Sequence, residues 1–241
     1  MNRLTRPLML ASAALAMINA TATRGAADLV FFTDETAFRA AAPALSTQLF
    51  SSANIAAIGI SVVGNPLNSA TNNAVFSAGS ILPGLTITSS ASHSGQDLGV
   101  VAPGVFGNTS KSVYNNFGGD SLFVSFAPSV TAVGMGLLNP NGTTVDFIVD
   151  PPSGSALGSR TVTVNSSGPP VFFGVVATNG DQIGRIELFG HSTSNLNFAG
   201  LDRVLFGATA VPEPSSFTLA TAVAGLLALN CARRRRASAA R

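Results

Sequence analysis

The chain contains no tryptophan, one tyrosine and one cysteine among its 241 residues. A single cysteine, Cys231, cannot close an internal disulfide, so the fold must be held by core packing, with a bound ion as the only other available support. Without tryptophan, and with Tyr114 as the only tyrosine, the aromatic platforms on which saccharide sites are usually built are scarce. Charge is scarce too: 10% of residues are Asp, Glu, Lys or Arg, against about 25% in an average globular chain. Gly, Ser, Thr and Asn take their place, which suits an extracellular β protein rich in turns.

The formal charge of +2 conceals an uneven distribution. Eight of the thirteen basic residues lie in the first 25 or the last nine positions. Between Ala26 and Ala210, Arg39, Lys111, Arg160, Arg185 and Arg203 face ten carboxylates, a net charge of −5. Nucleic-acid binding requires clustered cations that displace counterions from phosphates. The central region has no such cluster, so nucleic acid is excluded as an expected partner.

The two ends read as addresses. Arg3 and Arg6 precede an apolar run from Leu8 to Ile18 and then small residues, the three parts of a secretory signal over residues 1–27. Cleavage after Ala22 or Ala27 fits the small-residue rule. Ala27 is favoured because the strand-like Leu29-Val30-Phe31-Phe32 follows at once. At the other end, Val211-Pro212-Glu213-Pro214-Ser215 interrupts regular structure, since proline lacks an amide and restricts its predecessor. Residues 216–232 carry no charge and as a helix would span about 25 Å, the short limit for a ~30 Å hydrocarbon core. Arg233, Arg234, Arg235 and Arg236 follow directly and are expected to stay cytoplasmic. The exported N-terminus and this cluster require one and the same topology.

This order of Pro-Glu-Pro, apolar helix and terminal arginine cluster resembles the PEP-CTERM sorting signal of Gram-negative bacteria that make exopolysaccharide. The resemblance covers residues 211–241, with Val211, Pro212, Glu213 and Pro214 as the sorting motif. It implies recognition and removal of the tail by an exosortase-type transpeptidase, transient anchoring in the inner membrane, and delivery to the cell surface or extracellular matrix. A one-helix permanent anchor is the plain alternative. Cys231 reads as apolar filler of the helix.

Residues 28–210 predict one β domain. Leu122, Val124 and Phe126 alternate with Ser121 and Ser125, and Val145, Phe147 and Val149 alternate with Thr144, Asp146 and Asp150. Period two with one polar face indicates half-buried antiparallel strands. Asn141-Gly142 and Asn179-Gly180 read as hairpin turns, because both residue types accept positive φ. Asp34 to Ala42 reads as a helix with Thr33 as N-cap, and residues 51–120 as loops and edge strands. Ten to twelve strands without alternating helices predict an all-β, two-sheet antiparallel sandwich of jelly-roll type, flanked by the signal helix and the tail helix. Phe172 to Val176 and Gly200 to Gly207 also resemble the sandwich modules that often precede such tails.

Chemistry is sparse. Gly119-Asp120-Ser121-Leu122 resembles the nucleophile block of GDSL hydrolases, but neither His93 nor His191 has an aspartate three residues before it, and a serine nucleophile needs an oriented base. His93 and His191 read as solvated loop residues, without partners at zinc-ligand spacing. Asp97, Asp120, Asp146, Asp150, Asp181 and Asp202 are the oxygen ligands available to calcium, but no Asp-x-Asp-x-Asp loop occurs. Asp202 is the candidate calcium ligand. In similar modules a glutamate of an early strand completes the site, whereas Thr47 to Ser51 carries no carboxylate here. Arg203, next in a regular strand, is expected on the opposite face. Tyr114, Asn115 and Asn116 are a candidate shallow saccharide site. The resulting expectation is a non-enzymatic, exopolysaccharide- or biofilm-associated protein with no cofactor. A calcium-dependent carbohydrate-binding module delivered by the same route is the alternative.

Overall fold

The computed structural model describes residues 28–166, 168–193 and 196–208. Residues 1–27, expected to form a signal peptide, and residues 211–241, expected to form a sorting tail, lie outside them. Among these described residues are fourteen strands, most of them built on alternating apolar residues, and one short helix. The strands are β1 (Leu29–Phe32), β2 (Ser46–Leu49), β3 (Ile60–Val63), β4 (Leu67–Asn68), β5 (Leu85–Ser89), β6 (Leu98–Val101) and β7 (Ser112–Asn115). Then come β8 (Leu122–Val130), β9 (Ala132–Leu138), β10 (Thr144–Asp150), β11 (Gly158–Thr163), β12 (Val171–Ala177), β13 (Ile183–His191) and β14 (Gly200–Gly207).

They form two antiparallel sheets. The larger has the order β1-β12-β9-β14-β7-β6-β3, with β2 also on β14, and the smaller the order β11-β10-β13-β8-β5-β4. Leu122, Val124 and Phe126 of the small sheet and Met135, Leu137, Phe173, Val175 and Val204 of the large one meet in a shared core. Each such side chain taken out of water contributes about 1.5–3 kcal/mol. The expected two-sheet architecture is therefore present. Among the described residues no helix is long and apolar enough to cross a membrane.

Three local expectations are corrected. Asn141-Gly142 joins β9 to β10, and Asn179-Gly180 joins β12 to β13, so both cross from one sheet to the other instead of closing hairpins. At Asn179-Gly180 the anticipated turn does form, with φ of 58° and 84° and Asp181 N–H donating to Thr178 O at 3.1 Å. Turn residues set the local backbone, but they do not decide which sheet receives the next strand. At the helix, α1 (Glu35–Ala41), the N-cap is Asp34, not Thr33: its carboxylate accepts from Ala37 N–H at 2.7 Å. Within residues 51–120, β5, β6 and β7 lie inside their sheets, not at the edges.

Helix α1 covers the outer face of the large sheet. Phe38, fully buried, sits with Phe172, Val176 and Leu205 in a second apolar cluster. Gly134 and Gly174 make the room. A Cβ on Gly134 would lie 2.7 Å from the Phe38 ring, and one on Gly174 2.9 Å from it.

Candidate functional site

Among the described residues no helix covers the outer face of the small sheet, where the polar members of the alternating strands stand side by side. The strand pairing orders them in rows. Thr86, Ser125, Arg185 and Asp150 form one row across β5, β8, β13 and β10. Thr88, Phe123, Glu187, Ile148 and Ser159 form the next, and Phe189, Asp146 and Thr161 the third. His191, Thr144 and Thr163 close the strip. From Arg185 to His191 along β13 the face extends about 20 Å at roughly 3.4 Å per residue.

The charges on this face are paired within it. Arg185 donates twice to Asp150 Oδ2, from Nε at 2.8 Å and Nη2 at 2.6 Å. Its guanidinium lies over the Phe123 ring, 4.4 Å from the centroid. Ser121 Oγ donates to Glu187 Oε1 at 2.6 Å. Asp146 accepts from Thr161 Oγ1 at 2.7 Å and pairs with His191 Nε2 at 2.7 Å. Burial works against ionisation of Asp146, but Thr161 and His191 outweigh it and hold the carboxyl below its ordinary range. Phe189 meets His191 edge-on, with ring centroids 5.2 Å apart.

A cleft lies at each end of the strip. One of about 560 Å³ is lined by Ser125, Ser129, Asp150, Pro152 and Arg185 among others. The other, of about 360 Å³, is lined by Asn141, Thr144, Ser166, His191 and Ser192 among others. Oriented hydroxyl, carboxylate and guanidinium groups beside exposed ring surface suit a polyhydroxylated chain: polar groups grip hydroxyls, and Phe189 offers an apolar face to C–H groups.

The residues singled out in the sequence are scattered. Ser121 is buried and bonded to Glu187, and no histidine contacts it among the described residues. His93 does lie in a loop, between β5 and β6, whereas His191 ends β13, and each is tied to a carboxylate. His93 pairs with Asp120 at 2.8 Å and stacks on Phe117, and His191 holds Asp146. Asp97 is buried and accepts from the amides of Asn65 and His93. Burial raises its pKa, but those amides more than compensate and leave it lowered. Tyr114 is buried over Gly99 and between Phe106 and Phe198, and burial pushes its hydroxyl pKa up. Asn115, fully buried, ties Phe117, Asp120, Asn197 and Ala199 together. The shallow saccharide site around Tyr114 is thereby overturned: its aromatic face is part of the interior.

Asp202 is 2% exposed, on the outer face of the large sheet. Its pairing with β9 shifts register between Leu201 and Val204, so Asp202 and Arg203 both stand opposite Gly136. This bulge overturns the regular alternation and with it the expected separation of the two side chains. Arg203 Nη1 donates to Asp202 Oδ2 at 3.1 Å, and Arg203 Nη2 donates to Glu35 Oε2 at 2.8 Å. Ser110 Oγ also donates to Asp202 Oδ2, at 3.1 Å, and a Cβ at Gly136 would collide with Oδ1. Burial raises the Asp202 pKa against the opposing pull of Arg203. One carboxylate facing a guanidinium does not fit calcium, which takes six to eight oxygens. Among the described residues no group of three or more His, Cys, Asp or Glu side chains is arranged to hold a metal. Val211 to Pro214 and Arg233 to Arg236, to which the sequence resemblance assigns sorting and retention, lie outside the described residues.

The strip was missed in the sequence because Phe123 and Phe189 look like core positions. The usable signal was their placement in step with Ser125, Arg185 and Glu187, the polar members of their strands.

No family model matches the chain, and no curated protein matches it. Among solved structures, the cleaved adhesin domain K1 of Lys-gingipain from Porphyromonas gingivalis W83 overlaps 69% of this chain and 99% of its own, at 13% identity and a TM-score of 0.37. A family 29 carbohydrate-binding module complexed with mannohexaose overlaps 68% and 93%, at 10% identity and a TM-score of 0.33. A family two carbohydrate esterase from Cellvibrio japonicus overlaps 71% of this chain, at 11% identity and a TM-score of 0.31. The match spans 36% of that esterase's length. Overlaps this partial assign no ligand.

Proposed function

We propose that this chain is an exported, non-catalytic cell-surface or matrix protein whose small-sheet face holds a linear, neutral polysaccharide of the surrounding matrix. The observation that carries the reading is the uncovered strip from Arg185 to His191, with its paired charges, hydroxyl rows and clefts at both ends. Asp146, Asp150 and Glu187 outnumber Arg185 and His191 on that face, which disfavours a polyanionic glycan. The PEP-CTERM resemblance of residues 211–241 supports the delivery route: export by the 1–27 signal, exosortase removal of the tail, and release to the exterior of a Gram-negative cell. The repeated passage of consecutive strands between sheets agrees with a jelly-roll arrangement. Calcium is not required by this binding mode, because its polar groups come from the small sheet.

The test is binding of the purified protein to an array of neutral and acidic polysaccharides, with and without chelator. Phe189→Ala should weaken binding to the preferred glycan at least tenfold, about 1.4 kcal/mol, while Leu49→Ala on the large sheet should leave it unchanged. Binding that survives Phe189→Ala and Arg185→Gln, or that needs calcium, would refute the assignment. Terminal masses of the cell-derived product test the route: loss of both ends is expected, and an intact Arg233 to Arg236 cluster would show a permanent anchor.

A further inference from the structure

Each sheet ends in strands whose outer backbone groups have no neighbouring strand, and such edges normally carry a device against association. In the small sheet, β4 is two residues long and follows Pro66, and β11 is polar, with Ser159, Arg160, Thr161 and Thr163 exposed. In the large sheet, β1 lies between Asp28 and Asp34, and Arg160 of β11 reaches across to its Phe31, 4.6 Å from the ring centroid.

Strand β3 has none of these. Among the described residues it pairs only with β6. Ala102 N–H donates to Gly59 O at 3.0 Å, which fixes the phase of the ladder: Ser61 and Val63 bond to β6, and the amides and carbonyls of Ile60 and Val62 point outward. No other described residue bonds them. The side chains of Ile58, Ile60 and Val62 are 82%, 53% and 45% exposed, half of the large exposed apolar groups among the described residues. Ile58 has φ of +60°, a left-handed conformation that β-branched residues avoid. A turn closed by Gly59 N–H to Ala56 O at 3.0 Å holds it there, with its side chain in solvent. Between Arg39 and Asp97 there is no Lys, Arg, Asp or Glu at all. The rest of the domain carries its net charge of −5 and repels its own kind, so this neutral segment is where two copies approach at least cost.

We infer that β3 is a self-association edge that pairs antiparallel with β3 of a second copy about a two-fold axis. An antiparallel edge is complementary to itself: Ile60 and Val62 of the second copy exchange both backbone bonds, as do Val62 and Ile60 of the second copy, which makes four. The axis then passes between the two Ser61 residues, a non-hydrogen-bonded pair with Cα atoms about 4.5 Å apart. The large sheet becomes continuous through both copies, and the small-sheet strips face outward on each, which makes the assembly bivalent.

The register is testable on the processed protein purified from cells, with Cys231→Ser as background so that no uncleaved tail can cross-link. Sedimentation at rising concentration should show a monomer–dimer equilibrium at roughly 10–100 μM. Val62→Pro, which deletes an outward amide, and Ile60→Lys, which leaves the backbone intact, should each raise the dissociation constant at least tenfold. Under mild oxidation Ser61→Cys should form a covalent dimer, since the predicted separation suits a disulfide, and Ile60→Cys should not. A monomer throughout that range, a dimer indifferent to both edge substitutions, or equal cross-linking of the two cysteine variants would overturn the inference.

Discussion

The two sheets have similar inner faces and opposite outer ones. On the large sheet, Gly134, Gly136 and Gly174 remove side chains where α1 and Asp202 must approach, and Phe38 seals the surface. On the small sheet the equivalent positions keep polar or aromatic side chains, and among the described residues no helix lies over them. One sheet uses its outer face for stability. The other keeps it available at the cost of leaving Phe123, Phe189 and Ile148 half-buried. Under the proposed function the open face meets a ligand and so cannot also be a packing surface, and the glycines of the large sheet mark the face that is packed.

Three groups of substitutions would break or sharpen this contrast. The largest effect is expected at the covered face: Phe38→Ala empties a fully buried ring position and should cost about 3–5 kcal/mol in a urea titration. The matched change on the open face, Phe189→Ala, should cost under about 1.5 kcal/mol while abolishing most glycan binding. Equal losses at both positions would erase the distinction.

Removing the cap of α1 is next in size. Asp34→Ala leaves the Ala37 amide without its acceptor and should cost about 0.5–2 kcal/mol. Glycan affinity should not change, since α1 lies on the other sheet.

The smallest effects are in pH dependence, and they have opposite signs. Asp202 has a raised folded pKa, so its contribution is complete below the unfolded value of about 3.9 and is lost as pH rises through the folded pKa. Asp202→Asn should flatten the decline of stability above about pH 4. Asp97 is lowered by the amides it accepts from; its contribution is present above the unfolded value and is lost as pH falls through the folded one. Asp97→Asn should therefore remove part of the acid-side loss. Thermal melts from pH 3 to 8 separate the two cases, and parallel curves for both variants would contradict the assigned partners.

The residues alone determined the strands whose faces differ, because period two is a local property: β8 and β10 were legible from Leu122 to Phe126 and from Val145 to Val149. They also determined the acidity of residues 26–210, which depends on composition only. Tertiary structure decided what needs two distant segments at once. It sent β10 and β13 to the small sheet across turns that resemble hairpin turns, because sheet membership follows from packing over the whole core and not from the turn residues. It placed Asp202 beside Arg203 through a bulge opposite Gly136, where simple alternation separates them. It buried Tyr114 and left Phe123 and Phe189 partly in the open, since the exposure of an aromatic side chain depends on what packs above it, and that neighbour is remote in the chain.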